Sequence, residues 1–268
     1  MPTPLGNLRD ITLRALDVLR DCDLLVAEDT RVAKRLLSAL DLPGKEIWSY
    51  REQNAEGATA AIVERARVQT VAVVSDAGTP GISDPGRGLV AAAREAGVAI
   101  DVLPGPSAFV CALVLCGFDI ARFSFEGFAP RGRAELVRAV ETALNRRMTC
   151  VWYESPNRIV ATLATISSVA PEIRVFVGRE LTKRFQQQLL DTADRVAAAL
   201  ERPVRGELVV VLDASAHVEP ASSEAEIERA IDRELAAGAS TSEVAKSLAK
   251  RGITDRKNAY RLALLRRP

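Results

Sequence analysis

The chain has 268 residues, 48% of them hydrophobic, enough for a substantial core in one large domain or two smaller ones. Its 36 Lys and Arg against 35 Asp and Glu leave a net charge of only +1, so the field of the whole molecule points to no nucleic-acid partner, and any such partner must meet a local patch. The single histidine, His217, lies in the polar stretch DASAHVEPASSEAE, which argues against a His-ligated metal site and a Ser-His-Asp triad. Cys22, Cys111, Cys116 and Cys150 show no Cys-x-x-Cys spacing and read as buried, reduced thiols. There is no basic segment followed by an apolar h-region at the start, and no apolar run approaches the roughly 20 residues that span a bilayer. A soluble, cytoplasmic protein without a membrane partner is expected.

In chain order, amphipathic stretches alternate with short apolar ones: helix RDITLRALDVLRD, strand LLVA, helix TRVAKRLLSAL, strand EIWSY, helix NAEGATAAIVERA and strand TVAVVSD. This rhythm predicts an α/β domain with a mainly parallel sheet. The helix GLVAAAREAG then leads through VAIDVLPGP, read as a strand and loop, to the apolar helix SAFVCALVLCG. From Phe123 the rhythm changes, with strands in RFSFEGFAP, TCVWYESPNR, EIRVFVGRELTKRF and RGELVVVLD, and helices in ELVRAVETAL and DTADRVAAAL. Ordinary domain size places a boundary between Gly117 and Arg122, giving an N-terminal α/β domain over 1–118 and a second over 119–213. After a polar linker, three short helical patterns form a module over 223–268, with capping boxes expected at Ser223 with Glu226 and Ser240 with Glu243. From Ser240 onward the net charge is +6, so the rest of the chain is acidic.

Ligands of open α/β sheets collect beyond the carboxyl ends of strands, which singles out three loops. In SDAGTPGISDPG, Ser75 to Gly86, five of twelve residues are Gly or Pro; Gly78, Gly81 and Gly86 let a ligand approach the backbone, and Asp76 stands at the strand end. A plain surface turn would look similar, and the two Asp residues lack a regular calcium spacing, so no metal is expected. VLPGPSA opens a helix, whose amides at Ser107 and Ala108 could receive a carboxylate, or which Ser107 could simply cap. TPLGNL, Thr3 to Leu8, is a Pro/Gly turn before a helix. No Gly-x-Gly-x-x-Gly or Walker A loop occurs, which disfavours NAD and ATP.

Taken in order, TPLGNLRDIT, AEDTR, SDAGTPGISDPG, PGPSA, EGFAPRGR, YESPNR and GRELTK resemble the tetrapyrrole-methylase-like family, in its branch of ribosomal small-subunit RNA 2'-O-methyltransferases. The resemblance runs from Thr3 to Leu212 and into the basic tail. It implies a two-domain tetrapyrrole-methylase-like α/β fold with a small helical C-terminal module. It also implies S-adenosyl-L-methionine bound in the interdomain cleft, and methylation of a cytidine ribose 2'-hydroxyl near the decoding centre of 16S rRNA in the small subunit, by a homodimer. Matching positions put Pro4, Asp76, Thr79, Ser107 and Ala108 at the cofactor, with Tyr153 and either Glu207 or Leu208 beside the adenosine. Tyr153 could equally be core.

Deprotonating a ribose hydroxyl needs a base or a nearby cation, for which Glu28, Arg31, Glu154, Glu180 and Lys183 are candidates. Glu180 and Lys183, three apart, would also suit a solvated pair on a helix turn. Tyr260 and the cations around it, with Arg131 and Arg133, are candidates for phosphate contact, or for a solvated amphipathic helix. Family members begin with an apolar strand before the TP loop, whereas this chain starts Met1-Pro2-Thr3-Pro4, so the first domain is expected to lack that strand. Asn157 stands where the family commonly has His, and RFQQQLL lacks the acidic residues that often follow GRELTK. Two rival readings are a methyltransferase of the same fold acting on a small molecule such as a corrinoid precursor, and a non-catalytic ribosome assembly factor that binds no cofactor.

Overall fold

The computed structural model describes residues 1–83, 86–216, 224–251 and 253–266. Two compact units are present, Met1–Ala216 and His217–Pro268.

The first unit begins with a three-stranded parallel sheet in the order β2-β1-β3, formed by β1 (Leu24–Ala27), β2 (Glu46–Ser49) and β3 (Val71–Val74). β1 is buried on both faces, and its alternating side chains reach two separate cores. Leu25 and Ala27 join Leu19 of α1 (Leu13–Asp21) and Ala33 and Leu37 of α2 (Thr30–Ala39). Leu24 and Val26 join Ile62 of α3 (Ala55–Ala66) and Leu89 of α4 (Arg87–Glu95). Each fully buried Leu contributes about 1.5–3 kcal/mol. α1 starts where Thr12 accepts a bond from the Ala15 amide at 3.1 Å, and α2 where Asp29 does the same for Arg31 at 2.8 Å.

β3 is an edge strand. The Met1 ammonium donates to the Val73 carbonyl at 2.7 Å, and Thr3 and Gly78 exchange both backbone bonds, at 2.9 and 3.1 Å. The strand expected before VLPGP does not form: residues 98–106 follow no ladder. Val98 to Leu103 have the apolar pattern of a strand but no strand bonded beside them, and Val102 is 69% exposed.

The second sheet runs β4-β5-β8-β6-β7, with β4 (Phe123–Phe128) parallel to β5 (Thr149–Glu154) and antiparallel pairing between β5 and β8 (Leu208–Leu212), β8 and β6 (Arg174–Arg179), and β6 and β7 (Gln187–Thr192). On one face Trp152, Val177 and Val210 pack against α6 (Arg133–Arg146), α7 (Ile159–Val169) and α8 (Ala193–Ala199). On the other, Val151, Phe176 and Val211 pack against Ala112, Leu113 and Cys116 of α5 (Ala108–Cys116). α5 therefore precedes Gly117 in sequence yet covers the second sheet. Pairing of Leu208 with both Glu154 and Arg179 brings the carboxyl ends of β5 and β6 to the edge where β8 starts.

The second unit holds α9 (Glu224–Ala236), α10 (Thr241–Lys250) and α11 (Arg256–Leu265) around Ile227, Ile231, Val244, Leu248 and Leu262. The capping box of Ser240 with Glu243 is formed; the one expected at Ser223 with Glu226 lies outside the described residues and side chains. Two of the cations behind the +6 charge are paired within the unit: Arg251 with Glu234, and Arg266 with Glu228 and Asp232. α11 exposes Arg256, Lys257, Tyr260 and Arg261 along one side.

Candidate active site

Four loops are laced together at the carboxyl end of the first sheet. Beyond β3, Asp76 Oδ1 accepts from the Asp29 amide at 3.0 Å, joining SDAGTPG to AEDTR. Thr79 Oγ1 donates to the Pro106 carbonyl at 2.9 Å, joining the same loop to LPGPSA, while the Thr3–Gly78 pair joins it to TPLGNL. Gly78, at φ +79°, sits where a Cβ would lie 3.1 Å from Leu5 Cδ2 and 3.4 Å from the Pro106 oxygen, so both the backbone angle and the close approach require glycine. Ser107 occupies the N-cap of α5 but its side chain makes no capping bond, leaving the first-turn amides without that partner.

Around AEDTR the electrostatics separate neighbouring carboxylates. Arg31 hydrogen-bonds Asp29 through side chain and backbone, with a 2.6 Å ion pair, and holds that carboxyl well below its ordinary range. Burial pushes Glu28 up, and the nearby Asp76 charge adds to the effect. Arg51 spans the pair, lying 3.6 Å from Asp29 Oδ2 and donating to the Glu28 carbonyl at 2.8 Å.

The second sheet supplies the opposite wall. A register shift between Phe125 and Phe128 lets both meet Tyr153 edge-on, Phe128 at 5.7 Å and Phe125 at 5.0 Å. Glu154, with no exposed side-chain surface, is fully engaged: Arg158 Nη2 lies 2.5 Å from Oε1, the Ser155 amide donates to Oε1 at 2.6 Å, and Thr162 donates to Oε2 at 2.5 Å. Arg158 also donates to the carbonyls of Ala129 and Pro130, which pins EGFAPRGR to YESPNR. Glu180 and Lys183 lie on a turn after β6 instead of on a helix, since Glu180 and Thr182 adopt φ of +52° and +66°. The Lys183 ammonium sits 2.8 Å from both Glu180 and Glu207, and its stem lies against Gly6, where a Cβ would come within 2.1 Å of Lys183 Cγ. Burial opposes ionisation of both Glu180 and Lys183, but their contact and the Glu207 groups outweigh it, so Glu180 is held low and Lys183 high.

Between these walls lies a cavity of about 400 Å³, within the roughly 300–1,000 Å³ of small-molecule sites. Asp76, Thr79, Ser107 and Ala108 line one side and Tyr153, Glu207 and Leu208 the other, with Glu28 and Glu154 also in the wall. Pro4 lines instead a neighbouring cavity of about 240 Å³, of which Asp76 is also a wall. Arg31, Glu180 and Lys183 are not in the lining of the larger one; Lys183 reaches it through Glu207. Leu5, Phe128, Gly178, Leu181 and Val209 also lie in the wall; the first four fall within TPLGNLRDIT, EGFAPRGR and GRELTK, but no polar group of their own singles them out there. Their signal is adjacency to strand ends.

The family model described as Tetrapyrrole (Corrin/Porphyrin) Methylases matches residues 2–197. The chain is 35% identical to Ribosomal RNA small subunit methyltransferase I of Synechocystis sp., covering 98% of this chain and 95% of that protein. It is 42% identical to the protein of the same name from Neisseria meningitidis serogroup B, covering 78% of this chain and 73% of that one. A solved structure of diphthine synthase superposes with a TM-score of 0.63 at 14% identity, over 78% of this chain and 86% of that chain, and so shares its fold.

Proposed function

Since the chain belongs to the tetrapyrrole (corrin/porphyrin) methylase family, and within it to the small-subunit ribosomal RNA methyltransferases, we propose that it methylates a cytidine ribose 2'-hydroxyl of 16S rRNA with S-adenosyl-L-methionine. The observation that carries the site assignment is the single cavity that gathers Asp76, Thr79, Ser107 and Ala108 with Tyr153, Glu207 and Leu208.

The residues present fit an amino-acid-bearing nucleoside. The α5 amides at Ser107 and Ala108, which lack a side-chain cap, would hold its carboxylate, and Asp76 its ammonium. Tyr153 and Leu208 would flank the adenine, and Glu207, oriented by Lys183, the ribose hydroxyls. Bound there, the cofactor supplies a methyl carbon already activated by a positive sulfur, so no covalent enzyme intermediate is needed. Holding the reacting atoms in line can supply about 7–11 kcal/mol.

Of the five candidates for handling the hydroxyl proton, Glu28 is favoured. It lines the cavity, and burial with the nearby Asp76 charge raises its carboxyl above the ordinary range, the direction that makes a carboxylate a stronger base. Glu154 is committed to Arg158 and Thr162, and Lys183 to two carboxylates, so these serve as positioning residues. Arg31, exposed and paired with Asp29, lies outside the lining of that cavity.

The proposal divides the chain at Gly117–Arg122 and beyond 213, with the exposed cations of α11, Arg131 and Arg133 contacting phosphates. It includes a homodimer, supported by the exposed apolar residues Val102, Val110 and Val114, and a cytoplasmic location, consistent with there being no described helix long and apolar enough to cross a membrane. The test is transfer of labelled methyl to small-subunit particles, to free 16S rRNA and to a corrinoid precursor, followed by mapping of the modified nucleotide. Label at a cytidine 2'-oxygen is expected; label on the corrinoid alone, or no calorimetric binding of the cofactor, would overturn the assignment.

A further inference from the structure

We infer that Phe185, with the Arg184 guanidinium against its ring, is a platform on which a base of the substrate RNA stacks, carried by the turn whose Leu181 lines the cavity; this rests on the RNA-methyltransferase reading above. Phe185 is 73% exposed, more than any other large aromatic among the described residues. A lone exposed apolar side chain is ordinary. This one differs in how it is held and where.

The turn that carries it is tied on either side of the ring. The Thr182 amide donates to Gln186 Oε1 at 2.7 Å, the Gln186 amide to the Lys183 carbonyl at 3.1 Å, and the Glu180 amide to the Glu207 carbonyl at 2.9 Å. Two residues of the turn, Glu180 and Thr182, sit at positive φ without being glycine, a strain kept only where the surroundings over-determine it. The turn is also part of the site. Leu181 lines the cavity, and Arg179, the last residue of β6, pairs with Leu208 of the same wall. A rigid turn thus puts one side chain into the cavity and lifts an aromatic ring outside it.

The chemistry suits a single-stranded RNA base. Sequence-specific RNA sites are usually unpaired bases stacked on aromatic rings or guanidinium planes, and every base offers a π-face. Arg184 Cζ lies 5.5 Å from the ring centroid, which covers one face, leaves the other for a base, and places a positive charge where the adjoining phosphate would run.

The test compares wild type with Phe185→Ala, Phe185→Leu and Phe185→Trp in full-length protein. The readouts are KM and kcat on small-subunit particles, cofactor affinity by calorimetry, thermal stability and sedimentation. Ala and Leu are expected to raise KM for the particle about tenfold, with cofactor affinity, Tm and sedimentation unchanged, and Trp to restore it. An unchanged KM in Ala, or a Leu variant as good as wild type, overturns stacking while leaving the RNA reading intact. A changed sedimentation coefficient in Ala reassigns the ring to self-association and equally overturns it. Wild type that methylates no RNA overturns the parent reading and this one together.

Discussion

Asp76 Oδ1 lies 3.0 Å from the Asp29 backbone nitrogen, so one carboxylate oxygen fastens the end of β3 to the N-cap of α2 while the group also lines the cavity. The two duties can be separated. Asp76→Asn keeps an acceptor for Asp29 and removes the charge; its stability should stay near wild type while cofactor affinity falls by about 1.5–3 kcal/mol. Asp76→Ala should lose both. Calorimetry beside a thermal melt checks this, and an Asn variant that binds like wild type removes Asp76 from the site.

Gly78 and Gly81 both adopt positive φ, yet a Cβ at Gly81 would meet nothing within 4 Å whereas one at Gly78 meets Leu5 and Pro106. Gly78→Ala should therefore cost more than Gly81→Ala, about 2 against about 1 kcal/mol. Urea titration gives the order directly. The reverse order would mean that the loop relaxes around Leu5.

The base role proposed for Glu28, whose carboxyl is raised by burial and by Asp76, requires the ionised form. The single-turnover rate of wild type should thus climb as pH rises through that raised value and then level. Glu28→Gln should lack this limb and be slower by about 10²–10⁴. A Gln variant retaining the wild-type profile would pass the role to another group.

Removing the buried Glu154 carboxylate strands Arg158 and Thr162 and releases the hold on Ala129 and Pro130. Glu154→Ala should lose about 3–5 kcal/mol of stability. At low temperature the fraction that stays folded should still bind cofactor. Loss of binding without loss of stability would make Glu154 a ligand residue instead.

In α11, Arg256, Lys257 and Arg261 face solvent. Replacing all three with Ala should reduce the slope of log affinity for RNA against log salt by about 2–3. A slope equal to wild type would remove α11 from the interface.

Most elements of the first unit were legible because their apolar periodicity is strong. LLVA and LVVVL are continuous runs buried on both faces, and TRVAKRLLSAL shows its apolar stripe plainly. VAIDVL misled because a strand pattern needs a bonded neighbour, which local sequence does not reveal. The turn at Glu180–Lys183 is hidden for a similar reason: ELTK has good helix spacing, and bonds with the distant Glu207 and with Gln186 bend it. In the site, polar motif residues such as Asp76 and Thr79 could be named, whereas Phe128 reaches the cavity through a bulge, and Leu5 and Leu181 through loops whose paths are set by tertiary bonds. The pairing of Arg251 and Arg266 shows that a charge count overstates how many cations are available for phosphate.

α5 precedes the segment 117–122 in sequence while its buried side chains fill the core under β5, β6 and β8. A cut in that segment would leave neither piece self-sufficient, because the plug of the second sheet would depart with the fragment bearing the first. Such halves, expressed separately, should be insoluble alone and regain cofactor binding only when mixed. The same helix begins at Ala108, which with Ser107 lines the cavity, so whatever docks there bears on a helix that fills the neighbouring core.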